Sequence, residues 1–198
     1  MTSRSSIGPT RNPESHRAIL DAASTILAES GYGGFTMDAV AQRAGASKRT
    51  LYRWWRSKAA LIIEVYLRES SADFDIPDRG SVQRELVELC QRLWRMWSDT
   101  SCGEALRSLI AEGQHDPASF ALLRDQIMPA RLRWPGAIIE RGIARGEIPA
   151  NADTAMAIEL LTAFNWYRLT TNALVDDGGI ERVIAMVVAG LQAVPAGE

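Results

Sequence analysis

One glycine, Gly45, set between two short segments with apolar faces, constrains this 198-residue chain more tightly than any other residue. Upstream of it, Ala39, Val40 and Ala44 share one face at helical spacing. Gly45 ends that helix, because a glycine just past the last turn enters the left-handed region without a Cβ clash. Ser47 then offers a hydroxyl to the free N–H groups of a following helix, so Ser47–Trp55 starts at once. The stretch Thr36–Lys58, TMDAVAQRAGASKRTLYRWWRSK, therefore reads as helix, sharp turn, helix. In the second helix Leu51 and Trp55 stand four apart as anchors, while Lys48, Arg49, Thr50, Tyr52 and Arg53 cover the remaining surface. Cations, hydroxyls and an aromatic ring suit the phosphates and base edges of a DNA major groove. An ordinary solvated helix would need turn, cap, anchors and cations to coincide without cause.

The distribution of charge agrees. A formal net charge of −2 conceals two unlike parts. Residues 1–58 carry nine basic and four acidic side chains, and the remainder carries 13 basic and 20 acidic ones. A cationic head on an acidic body directs one end at a polyanion. The N-terminus, MTSRSSIGPTRNPE, reads as a flexible basic arm and lacks the apolar core of a signal peptide. No apolar run approaches the ~20 residues that span a bilayer. A soluble, cytoplasmic protein with no membrane partner is expected. Cys90 and Cys102 fall in helical patterns without ligand spacing and are expected as buried reduced thiols rather than a disulfide.

No segment alternates apolar and polar residues between turn signals. The expectation is an all-α fold of about nine helices. An N-terminal arm and three-helix head fill 1–58, a fourth helix over 58–70 connects, and a helical body fills 59–198. Pro13 and Glu14 suit the first helix start, Gly31 its end, and Ser57 caps the fourth helix. Asp73–Gly80, with Pro77 and Gly80, is the boundary loop. Ser81–Asp99 and Gly103–Gly113 follow as helices. Ala118–Arg145 is helical in pattern, but Pro129 and Pro135 each remove a backbone donor, so kinks or a break are expected.

The last helix is apolar all round. Ile180, Val183, Ile184, Val187, Val188 and Leu191 make one stripe, with Ala185, Met186, Ala189 and Gly190 opposite. Such a helix must be covered on both sides, and each aliphatic side chain left wet would forfeit ~1.5–3 kcal/mol. A second copy of the chain is the expected cover, with that stripe joined by Leu160 and Phe164; burial within one chain is the alternative.

The segment Ala18–Val65, AILDAASTILAESGYGGFTMDAVAQRAGASKRTLYRWWRSKAALIIEV, resembles the TetR (tetracycline-repressor-like) family of bacterial transcription regulators. Paired alanines, G-Y, T, V-A, A-G-A-S, T-L-Y and S-K occur in the family's order. The resemblance implies a homodimer closed by the last two helices of each chain, a ligand pocket in the body, and operator binding by two heads. Carried over residue by residue, it brings Lys48, Arg49 and Thr50 to base edges or adjacent phosphates, Tyr52 and Lys58 to phosphates, and Thr36 to the DNA backbone. Ser47, Arg53 and Trp54 complete the expected DNA-binding set. Trp54-Trp55 departs from the usual His or Tyr then Phe; Trp55 can replace the Phe as anchor, and a contact by Trp54 is left open. Ala46 stands where the family favours Val.

Pocket walls are expected from Trp94, Trp97, Phe120, Trp134, Phe164 and Trp166, with Arg107, Glu112, Asn165 and Arg168 as polar anchors. Aromatics at helical spacing also serve as plain core. A pocket of this tone suits a hydrophobic or planar small molecule. No catalytic, metal or cofactor site is expected: His115 has no partner at ligand spacing, and Asp73-x-Asp75 and Asp176-Asp177 read as solvated turns. The function that fits is a repressor that binds a palindromic double-stranded operator as a homodimer and is released by a small apolar or aromatic effector. An enzyme and a purely architectural DNA binder are the rival readings, the enzyme disfavoured by two histidines, two cysteines and the lack of a Gly-rich phosphate loop or paired-acid motif.

Overall fold

In a computed structural model, residues 12–70 and 74–193 are described. Residues 1–11 of the expected basic arm, Asp73 and Val194 lie outside them, while Pro13 and Glu14 of that arm belong to the first helix. The helices are α1 (Pro13–Gly34), α2 (Met37–Arg43), α3 (Lys48–Trp54), α4 (Lys58–Ser70), α5 (Val82–Asp99), α6 (Cys102–Gly113), α7 (Pro117–Leu122), α8 (Met128–Ala144), α9 (Thr154–Thr170) and α10 (Gly179–Gln192). A π turn, Leu123–Ile127, joins α7 to α8 without interruption, so the ten segments form nine continuous rods. Among the described residues there is no strand, and no helix is long and apolar enough to cross a membrane.

Local chemistry sets the helix starts. Asn12 accepts the Glu14 N–H at 3.0 Å, and Pro13 occupies the first turn, where its missing N–H is not needed. Asp116 does the same ahead of Pro117, accepting the N–H groups of Ala118 and Ser119. The Ser57 hydroxyl accepts the Ala60 N–H at 3.1 Å at the head of α4. Gly31 bends α1 instead of ending it. Its φ of 61° is left-handed, and a Cβ there would lie 2.0 Å from the Glu104 carboxylate on α6.

Of the kinks or break expected within 118–145, no break occurs, and the irregularity is a π turn just before Pro129. Pro129 falls in the first turn of α8, directly after the π turn, which re-registers the ladder before it. Pro135 stands inside α8 and denies the Arg131 carbonyl its usual i+4 donor, yet neighbouring helices hold the rod together.

Packing joins head and body. In α4, Leu61, Ile62, Ile63, Val65 and Tyr66 are all buried, because α1 covers one side and α6 and α7 the other. In the body, α5 lies between α8 and α10, and α9 leans on both α8 and α10. The stripe on α10 is split by this arrangement. Ile180 and Ile184, expected between subunits, are sealed inside one chain where α10 lies along α5, and Val188 and Leu191 are nearly so. The face left uncovered keeps Leu160, 51% exposed, from the expected set and adds Met186, 73% exposed, which the expected stripe had placed opposite.

A buried carboxylate ties the start of the body together. Glu85 is fully buried on α5 and pairs with Arg141 at 2.7 Å and Arg145 at 3.1 Å. It also accepts the backbone N–H groups of Arg79 and Ser81 at 3.0 and 3.3 Å. Removing it leaves the two amides without this acceptor and Arg141 with only the Ile76 carbonyl, while Arg145 keeps Asp78 and Glu147. Glu85→Ala is expected to lower the unfolding free energy by about 3–5 kcal/mol in chemical denaturation, the scale for breaking one side of a buried ion pair.

Candidate nucleic-acid interface

The turn before α3 is closed by backbone alone. The Gly45 N–H bonds the Gln42 carbonyl at 3.3 Å and the Ala46 N–H bonds the Ala41 carbonyl at 3.0 Å, with Gly45 at a φ of 62°. This paired closure demands a left-handed residue after α2, and glycine meets the demand without strain. Ser47 then accepts the Thr50 N–H at 3.1 Å and shares a hydroxyl hydrogen bond with Thr50 at 2.9 Å. Thr36 similarly accepts the Ala39 N–H at 3.1 Å and starts α2.

The underside of α3 is fixed by Leu51 and Trp55, both buried. The Trp55 indole N–H donates to Glu64 on α4, and His16 on α1 stacks on the Trp55 ring at 5.4 Å while its Nε2 meets Glu64 at 2.6 Å. Trp54 is half-buried in the same knot, edge-on to Trp55 at 5.7 Å, with the Arg53 guanidinium 5.8 Å over its ring. Lys48, Arg49, Arg53 and Tyr52 (52% exposed) remain on the outer face. Lys48 pairs with Asp38 at 2.6 Å, an exposed pair of the kind that stabilises little. Lys58 is placed otherwise. Its ammonium donates to the Tyr32 carbonyl at 2.6 Å and sits 3.6 Å over the Tyr32 ring, and burial lowers its pKa. It pins the end of α1 to the start of α4.

In the body, a small cavity of about 40 Å³ lies where α5, α8 and α9 meet. Trp134, Asn165 and Trp166 line it, with Leu89, Leu93 and Arg131. Trp94 stands behind Asn165, donating its indole N–H to the amide oxygen at 2.7 Å, and Phe164 tilts against Trp94 at 5.7 Å. Arg168 covers Trp94 at 5.1 Å and is held by Asp177 at 2.8 Å. Trp97 packs deeper, donating to the Tyr66 hydroxyl at 3.3 Å. Arg107, Glu112 and Phe120 lie on α6 and α7 and do not line the cavity; Phe120 is partly exposed against Gly113, and Glu112 accepts from Ser119. A second, open groove of about 490 Å³ runs between α9 and α10, walled by Met156, Leu160, Phe164, Val183, Met186 and Val187.

A rigid head with a cationic outer face, set on a helical body, has counterparts among known proteins. Residues 19–65 match the family model described as bacterial regulatory proteins, tetR family, and residues 76–187 match that described as tetracyclin repressor-like, C-terminal domain. The chain belongs to the TetR family. It is therefore a DNA-binding transcription regulator with a helix-turn-helix, and its relatives are regulators rather than enzymes. It is 34% identical to the HTH-type transcriptional regulator YdeS of Bacillus subtilis over 193 residues, covering 96% of each chain. It is 29% identical over 168 residues to the DNA-binding transcriptional repressor TetR of Mycobacteroides abscessus, covering 84% of this chain and 88% of that protein. Among solved structures, the TetR family transcription regulator SCO0332 superposes with a TM-score of 0.78 at 25% identity, covering 89% of this chain and 98% of that one.

Of the head residues singled out by sequence, Lys48, Arg49, Tyr52 and Arg53 are exposed on α3 and Thr36 and Ser47 cap α2 and α3, whereas Trp54 lies half-buried against Trp55 and Lys58 is held by Tyr32. Of the ten candidate pocket residues only three reach the central cavity. Arg131 escaped sequence reading because it is one of two arginines in RLRWP, and nothing in that pattern says which faces inward. Its place four residues before Pro135 was the available signal. Cys90 and Cys102 are both free and buried, and desolvation pushes their thiols up to about 11 and about 12. Two outcomes follow for the regulator. Trp55→Ala should cost about 3–5 kcal/mol of stability in denaturant titration, as for a large core aromatic. Both cysteines should resist a thiol reagent at pH 8, where so few thiolates exist, and react only once denaturant is added.

Proposed function

We propose that two copies of this regulator pair through the open groove between α9 and α10 and present their α3 helices to successive major grooves of a palindromic operator. The reading rests above all on one observation: α3 is clamped from beneath by Leu51 and Trp55 while Lys48, Arg49, Tyr52 and Arg53 stand outward. A helix so held can carry cations to phosphates and base edges at a fixed angle. Residues 1–58 act as the head, 59–198 as the body, and α4 as the lever between them. Thr36, Ser47 and Thr50, besides capping, stand at the helix starts that approach the backbone. The displaced Lys58 supports the head's shape rather than a phosphate.

Pairing follows from the uncovered apolar strip. Met156, Leu160, Tyr167 and Met186 are exposed on adjacent faces of α9 and α10, too large a set to leave wet on an isolated chain. A dimer closed there spaces the two α3 helices for grooves about 34–36 Å apart. The bound state blocks transcription, and a small molecule entering the body releases it by preferring the other spacing of the heads, typically by ~1–3 kcal/mol of differential affinity. The site of action is the cytoplasm, with DNA.

Fluorescence anisotropy on DNA flanking the gene tests this directly. Arg49→Ala should weaken palindrome binding by about 1–3 kcal/mol, the scale of a good base contact, and Tyr52→Phe should weaken it too, with both mutants still dimeric by light scattering. Unchanged affinity in both removes these contacts. Leu160→Asp and Met186→Asp should each give a monomer that loses the palindrome but keeps its helical spectrum. Affinity that fails to discriminate the palindrome from random DNA would point to an architectural binder.

A further inference from the structure

Arg131 is a cation whose hydrogen bonding the fold leaves unfinished. Its side chain is buried, with the residue 9% exposed. The guanidinium lies 4.6 Å over the Trp97 ring and 5.2 Å over the Tyr66 ring. Ring faces ease the burial of a cation, but they take none of its in-plane N–H bonds. Nε and Nη2 are shut off from solvent and neither meets an acceptor. Burial alone brings the pKa down to about 9, so no acidic neighbour offsets the lost hydration and the group stays charged at neutral pH.

Arg131 also lines the cavity between α5, α8 and α9, and a second residue with an orphan donor lines it too. The Trp166 indole N–H is also buried without an acceptor. The other polar groups there are spoken for: Asn165 accepts from Trp94 and donates to the Leu161 carbonyl, each at 2.7 Å, and Thr162 donates to the Ile158 carbonyl at 2.8 Å. What remains free is a positive charge and N–H donors. Donors left unmet in a dry site are costly, and the arginine fork matches a carboxylate.

We propose that the body takes a small ligand bearing a carboxylate, which binds Arg131 and is reached by the Trp166 N–H, while its apolar part lies among Leu89, Leu93 and Trp134. The proposal rests on the reading of this cavity as the effector site and names the chemistry of the effector. The present volume, about 40 Å³, suits the carboxylate but not a whole ligand. Entry requires α8 to yield, and α8 is the rod with the broken ladder: a π turn lies ahead of Arg131, and Pro135 leaves the Arg131 carbonyl without its helical donor. A carboxylate that draws Arg131 from the Tyr66 ring also acts on α4, which runs to the head.

The test is titration of the full chain, in carboxylate-free buffer, with 2-naphthoate, phenylacetate and decanoate and with the matching primary amides, by calorimetry and thermal shift. At least one acid should bind one site per chain and raise Tm, with its amide at least tenfold weaker. Arg131→Gln should abolish that preference and Arg131→Lys should keep part of it. Should Arg131→Gln fail to fold, Trp166→Phe serves: it should weaken the acid several-fold and leave the amide unchanged. No binding by any acid, equal binding of acid and amide, or a preference that survives Arg131→Gln or is untouched by Trp166→Phe overturns the proposal. Operator release is read separately. Release by amides but not acids overturns the carboxylate site and spares the effector reading, whereas acid binding without release does the reverse.

Discussion

Everything in this molecule depends on the burial of α4 from both sides. A helix that hides Leu61, Ile62, Ile63, Val65 and Tyr66 gives solvent only a narrow strip around Glu64 and Arg68, so α1 must cover one flank and α6 and α7 the other. Head and body therefore share one hydrophobic core instead of meeting across a polar linker. Glu64, on the same helix, reaches the Trp55 indole and His16, so the rod that carries the core also holds the underside of α3. A displacement of α4 cannot leave α3 where it was. Close packing makes such a coupling mechanical: well-packed side chains transmit a shift rather than absorb it.

The body contains the contrasting element, a helix whose hydrogen-bond ladder is interrupted in its middle. The rod from Pro117 to Ala144 passes through a π turn and then Pro135, and between these irregularities it carries Arg131 onto Tyr66 and Trp97. Its ends are better secured. The Glu85 carboxylate grips Arg141 and Arg145 and the extended segment before α5, which fixes the C-terminal part of α8 to the rest of the body.

Much of the head was legible in the sequence because its determinants are local. Gly45, Ser47 and Thr36 each act within five residues, and the backbone closures at Gly45 and the caps at Ser47 and Thr36 form as their residue types require. Leu51 and Trp55 also declared themselves by spacing. Lys58 did not, because its partner is the carbonyl of Tyr32, and only folding brings α1 back to the start of α4. The body was legible as helices and little more. Pattern marked the whole of α10 as apolar, yet which stripe faces α5 and which is left open depends on how α9 and α5 lie beside it, so Ile180 and Ile184 fell inside while Met186 stayed out.

Sequence by itself determined the helix-turn-helix, the helical class and the resemblance to the TetR family, because turn closure, capping and heptad-scale periodicity are written within a few neighbouring residues. Only tertiary structure decided which arginine is buried and which apolar face is left over. Those outcomes are set by desolvation and by contacts between residues far apart in the chain: Arg131 with Tyr66 and Trp97, Glu85 with Arg141 and Arg145. No local pattern encodes the distance between side chains that meet only after the rods have packed.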